Sequence, residues 1–429
     1  MLRFAAPLLL GSVIGIVYFM VDGMIVGRFI GVNAFAAVGV SGRILWMVFS
    51  LQEGLTGTFS SIYSQRFGAK DTKGLRKAIA MSLWIVIIFG GILSFGAFIG
   101  ASPILTLLNT PPEIYNDALI YFRIQAAGMP VFFLNGTVNA ILLSVGNSRV
   151  PFIAQSVSFA LNIVLSLLVV LLTPWGLAGV SIVTVFGFAL TCVICVAQIY
   201  RGKILRLKLG DFRPDSGVLK KIFTIGLPLA IRDMPPAVVS LVVLREINGF
   251  GAAYTAGVAA ALKLHSFLFP VGEALSSALA TFAGQNHGAG NHERTAHGLR
   301  SALKMMLLGV ALLIAFMIPL REFAISLFIV SDAAALNIGI RQLNIILLFL
   351  PAYYLAIAHR AYFPAVGNGF WPMVSGFLEA AARLAVILIL PGIIGQWGLY
   401  LAETIGWPVM ALQLMVVYQI MKRREISRA

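Results

Sequence analysis

The sequence predicts an all-α polytopic membrane protein with twelve transmembrane helices in two pseudosymmetric six-helix lobes. Of the 429 residues, 59% are hydrophobic and only 11% are charged, whereas soluble domains carry about a quarter charged residues. Twelve apolar windows are long enough to cross a bilayer, which takes roughly 20 residues. The second half of the chain also repeats landmarks of the first half.

The twelve apolar windows form two sets of six. Those of the first half lie near 4–27, 36–64, 79–107, 117–145, 151–173 and 176–200. Those of the second half lie near 219–247, 255–283, 299–320, 338–365, 372–394 and 397–421. We therefore predict an N-lobe at 1–205, a cytoplasmic linker at 206–218, and a C-lobe at 219–429 that ends in a short basic tail.

Basic residues are concentrated in alternate loops between the windows. One set of loops contains Lys70, Arg213 and Arg294, whereas the other set is nearly free of lysine. Basic loops stay on the cytoplasmic side of a membrane, so both termini are predicted to be cytoplasmic in a multi-pass protein of the plasma membrane. The net charge of +15 belongs to these short loops, and nucleic-acid binding is not expected.

The internal repeat has an offset of about 220 residues. Gly31 corresponds to Gly251, and Gly146 before the fifth window corresponds to Gly367 before the eleventh. Six crossings return the chain to the same side of the membrane, so the halves are predicted to be parallel repeats. Such repeats are typical of transporters, in which the substrate path lies between the halves.

Five short segments follow one another over essentially the whole chain: Val21 to Arg28, Gln65 to Ala69, Leu161 to Leu165, Gly284 to Gly290 and Gly398 to Glu403. Together they resemble the motifs of the multidrug and toxic compound extrusion (MATE) family. The resemblance implies a two-lobed antiporter of twelve spans. In that family, inward flow of H⁺ or Na⁺ drives export of cationic, amphipathic compounds.

The resemblance also implies a cation site in the N-lobe, on Asp22 of the first span and Asn162 of the fifth. Family members commonly carry a second aspartate four residues later, where this chain has Ser166. One carboxylate of the family pattern is therefore missing. Either H⁺ or Na⁺ remains open as the coupling ion, with Na⁺ held at Asp22 and Asn162, and no other cofactor is expected.

Asp22 is also a candidate on physical grounds. It lies late in the first apolar window, where a charged and unpaired carboxylate costs several kcal/mol. A carboxylate that takes up a cation when buried and releases it when exposed to water can couple transport to that cation. The alternative is a structural carboxylate paired with Arg28 or with a neighbouring helix.

Polar side chains recur at helical spacing in the fourth and fifth windows. Steps of three or four residues place them on one face of each helix. Together with Asp22 they could form an oxygen-rich cluster that holds Na⁺, and the alternative is hydrogen bonding between helices. They are Asn135 and Asn139 in the fourth window, and Gln155, Ser158, Asn162 and Ser166 in the fifth.

Further polar residues are candidates for a substrate cavity. Glu53 and Glu273 occupy equivalent positions in the two repeats, and Asn135 belongs to the fourth-window pair. Two acids in a central cavity would attract cationic substrates, but either one could instead pack between helices.

Asp233 is the third acidic candidate for that cavity. It precedes Pro235-Pro236, which predicts a helix break near the middle of the membrane, and broken helices often line transport sites. By contrast, Glu379 and Arg383 are four residues apart and are expected to neutralise each other on one helix face.

The predicted function is a secondary-active exporter of small organic cations that alternates its access between two sides. The chain is expected to be a monomer in the lipid bilayer, as is the default for a two-lobed carrier. It is not expected to be an enzyme, because catalytic motifs are absent from the sequence. The alternative is a flippase for a lipid-linked intermediate with the same two-lobed architecture. Basic residues that could bind its pyrophosphate are Arg232, Lys263, Arg360 and Arg383.

Overall fold

The computed structural model describes residues 1–201, 206–329 and 332–426, with side chains except at 43 and 424–426. The last four residues of the predicted N-lobe, 202–205, and the end of the predicted basic tail, 427–429, lie outside the described residues. The chain divides into two compact units. The N-unit is Ala6–Phe223, and the C-unit is Thr224–Ala429 together with Met1–Ala5.

The described residues form α-helices joined by short turns. The helices of the first half are α1 (Leu2–Ile25), α2 (Val32–Gly68), α3 (Thr72–Leu107), α4 (Pro112–Ser144), α5 (Arg149–Leu172) and α6 (Gly176–Arg201), with a π-helical segment at Val26–Ile30 and a 3-10 turn at Leu209–Phe212. Those of the second half are α7 (Ser216–Ile231), α8 (Met234–Gly249), α9 (Ala252–Leu268), α10 (Pro270–Gly288), α11 (His292–Ser326), α12 (Ala333–Ala365), α13 (Phe370–Ile394), α14 (Gln396–Ala402) and α15 (Gly406–Ile426).

Within the described ranges, eleven continuous stretches are long and apolar enough to cross a membrane. The pair α14 and α15, bent by 45°, supplies the twelfth span. The all-α fold with twelve predicted spans is therefore confirmed. The π-helical segment extends α1, and the pairs α7–α8 and α9–α10 each form one span.

Apolar side chains cover the outside of the helices, as a lipid environment requires. On α3, the side chains of Ile88, Ile92, Phe95 and Ile99 are all exposed. Their spacing of three or four residues puts them on one face of the helix. In water this stripe would be a large exposed apolar patch, so its natural surroundings are acyl chains.

α4 lies at the centre of the N-unit, where it packs against α2, α3 and α6. It begins after Pro111 and carries a further proline in its first turn, where a missing backbone N–H costs nothing. Gly136 faces α2 so closely that an added Cβ would overlap the Gln52 amide and the Thr56 hydroxyl. The absence of a side chain there lets the two helices meet.

α12 has the same central place in the C-unit and packs against α9, α10, α11 and α15. The predicted helix break at Asp233 is confirmed, since α7 ends at Ile231 and α8 begins at Met234. Pro235-Pro236 causes it, because two residues without a backbone N–H are tolerated only in the first turn of a helix.

The turns show the same repeat as the sequence. Gly31 and Gly251 have φ angles of 132° and 94° before α2 and α9, and Gly146 and Gly367 have φ angles of 90° and 88°. Residues that carry a side chain rarely adopt these φ angles, which explains why glycine recurs at both pairs of positions.

Candidate cation-coupling site

A polar cavity lies inside the N-unit, between α1, α4, α5 and α6. The centre of a water-sized sphere can move through only about 10 Å³ of it, which is room for roughly one water molecule or ion. Its walls carry no charged side chain and offer amide and hydroxyl oxygens of the kind that bind Na⁺ or hydrate a proton site. The polar lining residues are Tyr18, Asn135, Gln155, Ser158, Asn162, Thr184 and Thr191.

Hydrogen bonds hold the α5 side of this cavity in place. The Thr191 hydroxyl on α6 donates to the Ser158 hydroxyl at 2.8 Å. The Ser166 hydroxyl donates to Asn162 Oδ1 at 3.2 Å, and both residues are fully buried. The Asn162 side chain is therefore oriented by Ser166, the residue that replaces the second aspartate of the resembling family.

The α4 side is organised by the two predicted asparagines. Asn139 Nδ2 donates to Asn135 Oδ1 at 2.9 Å, and Asn135 Nδ2 donates to the Phe188 carbonyl at 3.4 Å. The Cys195 thiol lies 3.7 Å from Asn139 Oδ1. Part of the predicted stripe therefore joins α4 to α6 while Asn135 still borders the cavity.

Asp22 lies on α1 one helical turn beyond Tyr18 and is not among the residues that line the cavity. Its Oδ1 atom is buried and has no hydrogen-bond partner among the described residues. In the described part of the chain Asp22 forms no ion pair, and the side chain of Arg28 is exposed. A buried carboxylate oxygen without a donor is costly and is free to bind a cation.

The structure therefore brings together four of the predicted residues. Asn135 and Asn162 line the cavity, and Asn139 and Ser166 are bonded to them. The cavity-acid predictions for Glu53 and Glu273 concern side chains that are exposed on α2 and α10, and a substrate role for them stays a prediction.

Sequence reasoning missed the contributions of α1 and α6. Tyr18 is an isolated polar residue in the first apolar window, so no pattern within α1 singled it out. On α6, the spacing of Thr184, Gly187 and Thr191 is three and four residues, which is a small polar stripe of the type predicted on α5. That spacing was the available signal.

The C-unit contains two groups of ion pairs, here together called the C-unit cluster. Arg232, Asp233, Arg360 and Glu379 form the first group, and Arg383 and Glu403 form the second. Arg232 Nη2 lies 2.6 Å from Asp233 Oδ2, and Arg360 Nη1 lies 3.8 Å from Asp233 Oδ1. Arg360 Nη2 also donates to Glu379 Oε2 at 3.0 Å. Three guanidinium groups and three carboxylates balance, so Asp233 is compensated where Asp22 is not.

The expected pairing of Glu379 with Arg383 is wrong. Glu379 is bound by Arg360 on α12, and Arg383 Nη2 donates to Glu403 Oε2 at 2.5 Å. Arg383 Nε also donates to the Ala402 carbonyl at 3.2 Å, at the end of α14. Neighbouring helices offer better geometry than the next turn of α13, because the bend between α14 and α15 brings an acid and a free carbonyl towards Arg383.

The MatE family model matches the chain twice, at residues 7–168 and 228–389. The two matches cover well over half of the chain and start 221 residues apart, from 7 to 228. The chain belongs to the MatE family. The double match of one MatE model also confirms the internal repeat.

Known MatE relatives and structures resemble the chain over nearly its whole length. A Bacillus subtilis protein named "Probable multidrug resistance protein YoeA" is 26% identical and covers 99% of this chain and 94% of its own. The MATE transporter VcmN of Vibrio cholerae has a TM-score of 0.92 at 19% identity, covering 98% of this chain and 96% of that one.

A third similar protein is a transporter of the MOP superfamily from Pyrococcus furiosus. Its structure matches with a TM-score of 0.91 at 20% identity and covers 98% of this chain and 94% of that chain. It is described as having a binding pocket of reverse polarity that suggests a different function. At such identities the two structures show the MatE fold, and the polarity of a pocket has to be read from each chain's own residues.

Proposed function

We propose that this MatE protein is a secondary-active multidrug efflux antiporter. It exports amphipathic organic cations in exchange for H⁺ or Na⁺, by alternating access, from a plasma membrane in which both termini are cytoplasmic. Family membership supports the transport role, and the names of relatives such as YoeA support a multidrug substrate range.

The observation that carries this proposal is the buried, unpartnered Oδ1 of Asp22, which lies on α1 one helical turn beyond Tyr18, a lining residue of the uncharged polar cavity. Leaving a charged carboxylate buried without a partner costs several kcal/mol. A proton or Na⁺ removes that cost when the site is closed. When the site opens to water, the charged carboxylate is hydrated and the cation can leave. The site can therefore link cation movement to whether the protein is closed or open to water.

The cavity supports either coupling ion. Asn162 Oδ1 and the hydroxyls of Ser158 and Thr191 are neutral oxygen ligands, which Na⁺ accepts alongside one carboxylate. The same groups can hold water around a proton site. Since Ser166 replaces a carboxylate, one negative charge instead of two attracts the ion, which favours a single monovalent cation per cycle.

The flippase alternative depends on free basic side chains, and the C-unit does not favour it. Of the four basic residues named for it, Arg232, Arg360 and Arg383 are each paired with a carboxylate, and Lys263 alone is exposed outside these pairs. A pyrophosphate would have to displace those carboxylates from the guanidinium groups. No described contact makes this exchange favourable, so the antiporter is the better supported function.

The deciding experiment is ethidium efflux from proteoliposomes under separately imposed pH and Na⁺ gradients. Wild-type protein is expected to export ethidium when one of the two gradients is imposed, because the inward flow of that ion drives the exchange. Asp22→Asn is expected to reduce the efflux rate to that of protein-free vesicles. A neutral amide does not take up a proton and has no negative charge to attract Na⁺. Asn162→Ala is expected to weaken transport selectively in the Na⁺ gradient if Na⁺ is the coupling ion.

Glu113→Gln is the matched control, because it removes one negative charge from an exposed first-turn position of α4 in the same unit. It is expected to keep wild-type efflux. Efflux that survives Asp22→Asn would contradict the role of this carboxylate and direct attention to Glu53, Glu273 or Asp233. A folded wild-type protein that exports no organic cation would overturn the proposed substrate class and bring back the flippase.

A further inference from the structure

The turn that follows α6 turns its acidic side chain inward. The Lys208 backbone N–H donates to Asp211 Oδ2 at 2.8 Å, and Arg76 Nε on α3 lies 3.3 Å from the same oxygen. Asp211 is only 9% exposed. Three residues beyond the turn, Asp215 forms an ion pair with Lys77 at 2.6 Å. Both acids of the linker are therefore neutralised against α3.

A tryptophan of α3 holds this turn at a defined position along the helix. Trp84 Nε1 donates to the Phe212 carbonyl at 3.2 Å. α3 has 36 residues and is therefore about 54 Å long, whereas the hydrocarbon core is about 30 Å thick. Trp84 lies about three turns into α3, after the basic residues and at the start of the apolar stretch. Tryptophan is enriched at the membrane–water boundary, so the turn lies at that boundary.

The outward side of the turn is basic and apolar. Leu209 is 94% exposed, and the side chains of Arg206, Lys208, Arg213 and Lys220, which are near it in the chain, are also exposed. These five residues are the linker patch. A single leucine so exposed is unfavourable in water, but an apolar residue among cations suits a lipid interface.

We propose that the linker patch binds the anionic phospholipid headgroups of the adjoining leaflet, with Leu209 inserted between them. Four cations are exposed, whereas both acids of the linker are paired with α3, so the charge of the patch complements an anionic surface. Each basic residue near such a surface strengthens binding about fivefold. The interaction ties the segment between the two repeats to the membrane and does not depend on what the protein transports.

The test places a fluorophore on the patch of the full-length protein. Leu209→Cys is labelled with bimane, since Cys192 and Cys195 are buried, and the protein is reconstituted in phosphatidylcholine vesicles containing phosphatidylglycerol. Quenching by spin-labelled phosphatidylglycerol is compared with quenching by spin-labelled phosphatidylcholine. We expect severalfold stronger quenching by the anionic lipid at low salt, and loss of the difference at high salt because salt screens exposed charges.

Matched variants separate this patch from the general charge of the protein. Changing Arg206, Lys208, Arg213 and Lys220 to glutamine is expected to abolish the lipid preference. Changing the exposed Arg294, Arg300 and Lys304 of α11 to glutamine is expected to leave it unchanged. Gly210→Cys, at an exposed position of the same turn, provides a second label that leaves Leu209 in place.

Equal quenching by the two lipids at low salt would overturn the proposal. Absence of quenching by either lipid at both label positions would also overturn it and would point to a protein partner on the patch. The readout is proximity to lipid, so its result is independent of whether ethidium is exported.

Discussion

The N-unit and the C-unit use equivalent positions in opposite ways. Ser158 and Asn162 on α5 correspond to Glu379 and Arg383 on α13, at the same offset of 221 residues as the two family matches. In the N-unit these positions border a neutral cavity. In the C-unit they carry opposite charges and are joined to neighbouring helices by ion pairs.

A pair of glycines shows that the two places are geometrically equivalent. In the N-unit, a Cβ on Gly187 would lie 3.6 Å from the Asn162 amide and 3.7 Å from the Ser158 carbonyl. In the C-unit, a Cβ on Gly406 would lie 2.6 Å from Glu379 Cγ and 3.4 Å from Arg383 Cγ. Each glycine faces the same two positions, but only the C-unit is filled.

The contrast between a neutral cavity and paired charges indicates which unit is suited to bind a cation. A buried cluster whose charges are balanced has no net demand for a cation, and breaking it leaves a charge without a partner. In the N-unit, small neutral side chains leave room and oxygen ligands in the cavity that Tyr18 of α1 lines. One repeat therefore has a neutral polar cavity at these positions, and the other has paired charges.

The largest expected effect comes from breaking the C-unit cluster. Arg383→Ala leaves Glu403 without its guanidinium partner and is expected to destabilise the protein by about 3–5 kcal/mol. Asn162→Ala, at the equivalent position of the N-unit, is expected to cost much less because no buried charge is left behind. Thermal unfolding of both purified variants in one detergent measures the contrast.

A double variant controls for the loss of side-chain volume. Arg383→Met combined with Glu403→Gln removes both charges and is expected to recover most of the lost stability, since two neutral groups need no mutual compensation. If the double variant is as unstable as Arg383→Ala, packing and not charge explains the effect.

The next effect concerns the matched glycines. Gly406→Ala forces a methyl group against Glu379 and is expected to destabilise the protein by about 1–3 kcal/mol. Gly187→Ala meets only ordinary van der Waals distances and is expected to change the melting temperature little. Equal melting temperatures for the two variants would show that the C-unit is not the more tightly filled of the two.

The smallest effect compares the helix caps before α3 and α11. Asp71 accepts the Gly74 N–H at 2.8 Å, and Asn291 accepts the Arg294 N–H at 3.0 Å. The bond from Gly74, helped by Arg66, lowers the pKa of Asp71 below its usual value. Replacing either cap by alanine is expected to cost about 1 kcal/mol at neutral pH.

The two caps should differ in their pH dependence. A carboxylate with a lowered pKa in the folded state stabilises the protein fully above its unfolded pKa of about 3.9, and that stability is lost as the pH falls through the folded value. The effect of Asp71→Ala is therefore expected to shrink under acid conditions, while that of Asn291→Ala persists. A parallel decline of both effects in melting curves would contradict the assigned role of the Asp71 charge.

Much of the fold could be predicted because its signals are local. Runs of apolar residues mark the spans, and Pro235-Pro236 marks the break between α7 and α8, since each depends on residues adjacent in the chain. The repeat was visible because glycines at positive φ, such as Gly31 and Gly251, cannot be replaced freely. The cavity was partly predictable, because the spacing on α4 and α5 put Asn135 and Asn162 on definite helix faces.

The sequence by itself determined that the chain is a twelve-span, two-repeat membrane protein with an acid in its first span. Only the tertiary structure decided that Tyr18 and Thr184 join the cavity and that Arg383 pairs with Glu403 and not with Glu379. The reason is physical: hydrophobicity and helix periodicity act along one chain segment, whereas an ion pair or a cavity depends on distances between helices. Those distances are set by close approaches between helices, such as that of Gly136 on α4 to Gln52 and Thr56 on α2, which no single span reveals.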